Sequence, residues 1–182
     1  MLNHSSRSLL AVLMLCSAVV GCGGDPEPTR RVQLENGLLD MMISELWELE
    51  ENTDEGRVYL HKEFENVRLH LSTDTEDFGN PLRVTAVKSM IGRELNLKYG
   101  GVSTRVSLGG NAMIKYTRTV VDEGGAELRL EEWVVAKPVG HSDIARVEIS
   151  LRIPAEAENH PSIPALIEGL DKRVGDARIP RA

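Results

Sequence analysis

The chain has 182 residues, enough for one domain with a core of its own. It carries 21 basic and 28 acidic side chains for a formal net charge of −7. That balance argues against sequence-independent binding to nucleic acid, where affinity comes from neutralising phosphates with Lys and Arg. It also argues against electrostatic adhesion to anionic lipid heads. Aromatic residues make up only 4% of the chain, so Leu, Val and Ile must build most of the core.

The amino terminus reads as a secretory signal over residues 1–21. Met1 to Ser8 is polar with one base, Arg7, and an apolar run follows from Leu9 to Val20. That run is short of the roughly 20 helical residues needed to cross a bilayer. A positive flank, a short apolar core and small residues at its end are the parts of a signal peptide. The cut region, Val19-Val20-Gly21-Cys22, resembles the lipobox of bacterial lipoproteins. The resemblance implies a diacylglyceryl thioether on Cys22, cleavage before it, and acylation of the new amino group, with palmitate a typical chain. Two or more acyl chains give stable anchoring where one does not. In that family an Asp directly after the Cys favours the inner membrane. Here Gly23 and Gly24 intervene before Asp25, so the resemblance points to the outer membrane, facing the periplasm. The competing reading, an ordinary signal with Cys22 a free thiol, leaves an exported protein with a lone reactive group. Cys16 departs with the signal, so the mature chain has no disulfide. Loss of Arg7 leaves 20 bases and a mature charge of −8.

Residues 22–31, with Gly-Gly, Pro26 and Pro28, lack apolar periodicity and read as a tether. Over residues 32–51, Leu38, Leu39, Met42, Ile43, Leu46 and Leu49 recur at spacings of three and four, which predicts an amphipathic helix. The period then changes to two. Val58 to His61 and Val67 to Leu71 read as strands, with an interruption over residues 63–66. A polar loop over residues 72–81 leads to an expected strand from Leu82 to about Ile91. Leu95–Tyr99 and Val102–Leu108 flank Gly100-Gly101 and read as a hairpin. Ala112–Val121 and Glu127–Ala136 form a second expected pair about Asp122–Gly125, with a bulge near Glu131-Glu132 where the alternation slips. Arg146 to Ile153 alternate as a last strand, ended by Pro154.

A closing helix is expected after Ser162, a suitable N-cap, with Pro164 in its tolerant first turn. Its stripe is Ile163, Leu166, Ile167, Leu170 and Val174, and Gly175 can stop it. Residues 177–182 read as a loose tail. The expected fold is therefore α+β: one domain over residues 32–176, a curved antiparallel sheet of about six strands. An N-terminal and a C-terminal helix cover its concave side. This order loosely resembles helix-grip and cystatin-like folds, in architecture alone.

The residues able to do chemistry are scattered. His61, His70, His141 and His160 show no metal-ligand spacing and read as solvated strand or loop histidines. Ser89 and Ser150 fall in strand patterns without a nucleophile motif. The Gly pairs at 100, 109 and 124 do not open helices and read as turns. Glu131 and Glu132 are adjacent in a strand and so face opposite ways, unless a bulge turns Glu132 inward to a site where its pKa would rise. Trp47 and Trp133 read as core or rim anchors. No catalytic, cofactor or metal residue is assigned, and Cys22, the lipid attachment, is the one residue with definite chemistry. The first functional expectation is a membrane-tethered, non-catalytic envelope protein that binds or assembles with a protein partner through its sheet surface. The second is a carrier or sensor of an apolar small molecule held between sheet and helices. The third is an envelope enzyme with an unrecognised site.

Overall fold

The computed structural model describes residues 27–34, 37–53, 56–77, 79, 83–106 and 111–179. The expected signal peptide and Cys22 lie outside the described residues. In chain order the elements are β1 (Thr29–Gln33), β2 (Asp40–Ser44), β3 (Trp47–Thr53), β4 (Gly56–His61), β5 (Arg68–Asp77), α1 (Val84–Tyr99), β6 (Ser103–Val106), β7 (Ala112–Val121), β8 (Glu127–Pro138), β9 (Asp143–Pro154), α2 (Ala155–Glu158) and α3 (Ile163–Asp176). Among the described residues, no helix is long and apolar enough to cross a membrane.

Seven strands form one open antiparallel sheet in the order β3-β4-β5-β9-β8-β7-β6, and β1 and β2 form a separate hairpin. The alternation of β9 sets the layering. Val147, Ile149, Leu151 and Ile153 are fully buried on one face, while Arg146, Glu148, Ser150 and Arg152 point to the other. The first face packs beneath α3 and the β1–β2 hairpin. Its core joins Leu69 and Leu71 of β5, Trp133 and Val135 of β8, Leu39 and Ile43 near β2, and Ile163, Leu170 and Val174 of α3. Burying each such side chain contributes about 1.5–3 kcal/mol. The second face carries a smaller core of Ala112, Ile114, Val134 and Ala136 under Val87, Ile91 and Leu95 of α1. Helices α1 and α3 thus lie on opposite sides of the sheet, where the sequence predicted an N-terminal and a C-terminal helix on one side.

Polar contacts fasten α3 and the chain end to the first face. Trp133 Nε1 donates to Asp171 Oδ1 at 2.8 Å, and Lys115 Nζ lies 3.6 Å from the same oxygen. Asp40 and Arg178 exchange backbone hydrogen bonds of 2.9 and 2.8 Å, and Lys137 Nζ donates to the Ile179 carbonyl at 2.6 Å. Ala177 and Ile179, in the segment expected as a loose tail, are buried in this core.

Several sequence expectations are corrected. Residues 32–51 are not a helix but the hairpin and the start of β3. Val32, Leu34, Leu39, Met41, Ile43 and Trp47 are buried, with Met41 and Ile43 two apart in β2 and Trp47 the one buried residue of β3. The three-and-four spacing arose because two short strands and their turns were read as one segment. Thr29 to Arg31, assigned to the tether, begin β1. Residues 84–99, expected as a strand and half a hairpin, are α1, and Ser89 is helical. Gly100 ends that helix at φ +68°, its amide bonded to the Asn96 carbonyl, and Gly101 follows at φ +59°. Left-handed glycines serve helix ends as readily as hairpins. No bulge disturbs Glu131-Glu132, because the pairing of β8 with β7 and with β9 runs without a shift. The irregularity lies in β3, between Leu49 and Glu51.

Replacing Ile149 with Ala should lower the unfolding free energy by about 2–5 kcal/mol, the cost of a core cavity. Leu97, 81% exposed on α1, should tolerate Ala within about 0.5 kcal/mol. Urea denaturation measures both, and equal costs would contradict the assignment of β9 to the core.

Candidate functional site

Helix α1 packs mainly over β6, β7 and β8. The rest of that sheet face is open, and a groove of about 300 Å³ crosses it beside the helix, lined from β4, β5, β9, β8 and β7. Strand register builds its floor. Val58 pairs with His70, His70 with Ser150, Ser150 with Glu132, and Glu132 with Tyr116, so these five side chains form one row across the sheet. The adjacent row runs Leu60, Arg68, Arg152, Leu130 and Arg118.

At the helix end of the row, Tyr99 of α1 stacks on Tyr116 with ring centres 5.0 Å apart. The Arg118 guanidinium lies 4.7 Å from the Tyr99 ring and reaches Glu132 with two hydrogen bonds of 2.5 and 3.3 Å. Burial first, and then the Glu132 charge, push the Tyr116 phenol well above its usual range. At the other end His70 is half-buried. Its burial first, then Arg152 and Arg68, lower its pKa from 6.5 to about 4, with Glu50 opposing. His70 is therefore neutral at neutral pH, and its buried Nε2 has no hydrogen-bond partner among the described residues. Arg68 is held by Glu50 through bonds of 2.7 and 3.0 Å.

The opposite face holds a second polar cluster. The Ser44 hydroxyl donates to Glu27, which also receives a 2.7 Å bond from Arg173 of α3. Nearby His61 is 4% exposed, its ring 4.7 Å from Trp47 and 4.8 Å from Phe64. Its Nδ1 accepts the Glu63 amide at 3.1 Å, and burial lowers its pKa despite the charges of Glu63 and Glu27. Ser44 is thus engaged with a carboxylate, and His61 with a backbone amide. The cluster pins the incoming chain at Glu27 rather than pairing a nucleophile with a base.

The structure places His61 and His70 on opposite sheet faces, and neither is the solvated histidine expected. His160 Nδ1 accepts the Ser162 amide at 3.2 Å, and His160 stacks edge-on to Phe64. Glu131 and Glu132 do face opposite ways, but Glu131 is the more buried of the two. At 2% exposure it is held by Thr117 at 2.9 Å and Arg129 at 2.6 Å, with Lys115 at 3.7 Å. Trp47 and Trp133 are core anchors, 1% and 0% exposed. Ser150 lies in β9 and points to the open face, as its alternation indicated. Sequence reasoning missed the row as a unit, since only strand order makes His70, Ser150, Glu132 and Tyr116 neighbours.

No protein-family model matches the chain, and no curated protein matches it in sequence. Solved structures do share the fold. One from Bacteroides thetaiotaomicron superposes with a TM-score of 0.56 at 9% identity, covering 85% of this chain and 49% of that one. The present chain spans about half that protein's length. LpqN of Mycobacterium tuberculosis, a protein involved in cell envelope biogenesis, gives a TM-score of 0.51 at 12% identity, covering 84% of this chain and 91% of LpqN. At such identities the likeness is one of fold.

The state of His70 has a consequence for stability. The unfolded chain takes up its proton near pH 6.5 and the folded chain only near 4, so between these values the unfolded state binds more protons. Stability should be full above about pH 6.5 and fall as pH drops towards 4, with His61 acting in the same direction. His70→Gln should remove the His70 share of that loss, read as the difference between urea midpoints at about pH 7 and pH 5. An unchanged difference would contradict a neutral, buried imidazole.

Buried Glu131 gives a separate test. Glu131→Ala empties the shared carboxylate site and leaves Lys115 only its contact with Asp171, and Arg129 only its contact with Glu158. Because those cations are a quarter to a third exposed, the cost should be roughly 2 kcal/mol, below that of a fully buried pair. Thermal unfolding measures it.

Proposed function

We propose that this chain is a lipid-anchored, non-catalytic envelope protein that binds or assembles with a partner through the open half of its sheet. Cys22 carries the lipid, and the outer membrane facing the periplasm is its site. The lipobox-like Val19-Val20-Gly21-Cys22 supports the anchor. One observation carries the choice of working surface: the chain is pinned at Glu27 by Arg173 and Ser44 on the α3 side of the sheet. Glu27 is five residues beyond Cys22, a reach of at most roughly 18 Å. A lipid on Cys22 therefore holds the α3 side near the membrane, while the groove beside α1 opens on the opposite face. With Thr29 to Arg31 in β1, a tether ending before them would set an orientation as well as a height. The shared fold with LpqN accords with an envelope role.

A carrier for an apolar molecule needs a closed apolar chamber between sheet and helices. Among the described residues, Trp47, Trp133, Leu69, Ile149 and Leu170 pack the core beneath α3, and the pockets along that helix, of about 750 and 210 Å³, are open and bordered by charged groups such as Glu27, Asp40 and Arg173. The groove beside α1 is open and carries Arg118, Glu132, Arg152 and His70. These features favour a polar contact surface over a lipid carrier.

A photoreactive residue at Ser72, which lines the groove, should capture a discrete envelope protein in living cells. The same residue at exposed Lys172 on α3 should not. Equal capture from both positions, or none from Ser72, would overturn the choice of surface. Labelled palmitate should enter the native precursor and not Cys22→Ser, and label in the variant would overturn the anchor.

A further inference from the structure

The β5–β9 end of the groove has an imbalance of charge that the contact surface alone does not require. The carboxylates nearest it are already matched: Glu50 to Arg68, Glu132 to Arg118, and Glu148 to Arg146 at 2.8 Å. Arg152 is exposed, lines the groove and makes no hydrogen bond or ion pair with another described residue. Ser150 lies two residues away on the same face, with its hydroxyl unused among the described residues. Across the strand pair from Ser150 stands His70, whose Nε2 is buried and unpartnered. In a chain of net charge −7, a guanidinium, a hydroxyl and an imidazole nitrogen, each unmatched among the described residues, line the same stretch of one groove on neighbouring strands. Guanidinium and imidazole nitrogens are donors suited to an oxyanion.

We propose that Arg152, Ser150 and His70 form a binding site for an oxyanion group, a carboxylate or a phosphate, carried by the ligand of the open face. This inference rests on the groove being the working surface and specifies what it grips. Arg152 supplies the fixed charge and Ser150 a hydroxyl donor. His70 supplies an N–H and, on binding, takes up a proton.

The groups around His70 determine the sign of the pH effect. Arg68 of its own strand, Arg152 of β9 and Glu50 of β3 act on it directly, and Glu148 of β9, Glu132 of β8 and Arg118 of β7 line the same groove. The two arginines closest in effect, Arg152 and Arg68, now oppose its protonation, as does burial. An oxyanion seated between His70 and Arg152 offsets both causes and returns its pKa towards 6.5. Binding should then strengthen as pH falls, roughly tenfold between about pH 7 and pH 5.

The test uses the full chain carrying Cys22→Ser, with labelled histidine, titrated with sodium sulfate, sodium acetate or sodium chloride at matched ionic strength. Sulfate keeps its charge over this pH range, so its affinity reports the proton on the protein. The expected result is a saturable shift of the His70 resonance with sulfate or acetate beyond that with chloride. Tighter sulfate binding at neutral pH assigns a phosphate-like group, and tighter acetate binding a carboxylate. Sulfate binding should strengthen about tenfold at the lower pH and be lost in Arg152→Gln. No shift beyond chloride, an unsaturable shift (an adventitious ion only), or a shift that survives Arg152→Gln would overturn the proposal. The titration needs no partner and the Ser72 capture needs no added anion. A silent titration with capture intact overturns the oxyanion site alone, and the reverse result overturns the partner surface alone.

Discussion

Strand β9 is the constraint on which the structure depends. It lies between β5 and β8, and every second side chain from Val147 to Ile153 is fully buried. A strand in that position can bury one face completely only if the other elements supply a continuous cover on that side. The β1–β2 hairpin, α3 and the chain end to Ile179 together provide it. A one-residue slip of β9 would exchange Ile149 and Leu151 for Glu148 and Ser150, so its register is fixed by the core.

The other face follows from the same alternation with less to cover it. Helix α1, placed between β5 and β6, covers mainly the β6–β7–β8 side. Its Val87, Ile91 and Leu95 bury Ile114 and Val134, and the remaining β3–β4–β5–β9 surface keeps its polar residues in ion pairs and in a groove. The acids of β3, an edge strand, discourage pairing with another chain. One side of the sheet is thus covered and tied to the incoming chain at Glu27, and the other is half open.

Much of this was legible in the sequence and some was not. β5, β7, β8, β9 and α3 show their alternation or stripe plainly, because each buries one face against a single large core. The turn over Asp122–Gly125 was also readable, Gly125 taking φ +83°. Residues 32–51 misled because two short strands with tight turns mimic helical spacing. The acids of β3 then looked like the polar face of a helix. Helix α1 was hidden by Val84, Val87, Gly92 and the Gly100-Gly101 pair, all of which also suit strands and hairpins. Its Val87, Ile91, Leu95 stripe at four-residue intervals was the available signal. The groove could not be read at all. His70, Ser150, Glu132 and Tyr116 come from four strands, and their row exists only because β9 returns between β5 and β8.

The central claim is that the half-open face works while the covered face is held towards the membrane. Hydroxyl-radical footprinting of the native protein in intact envelopes, compared with the purified full chain carrying Cys22→Ser, tests it most directly. The account predicts new protection at Val58, Leu60 and His70 on the open face in envelopes. Protection confined to Met42 of the hairpin and the exposed turns of α3, with Val58, Leu60 and His70 equally reactive in both samples, would contradict it.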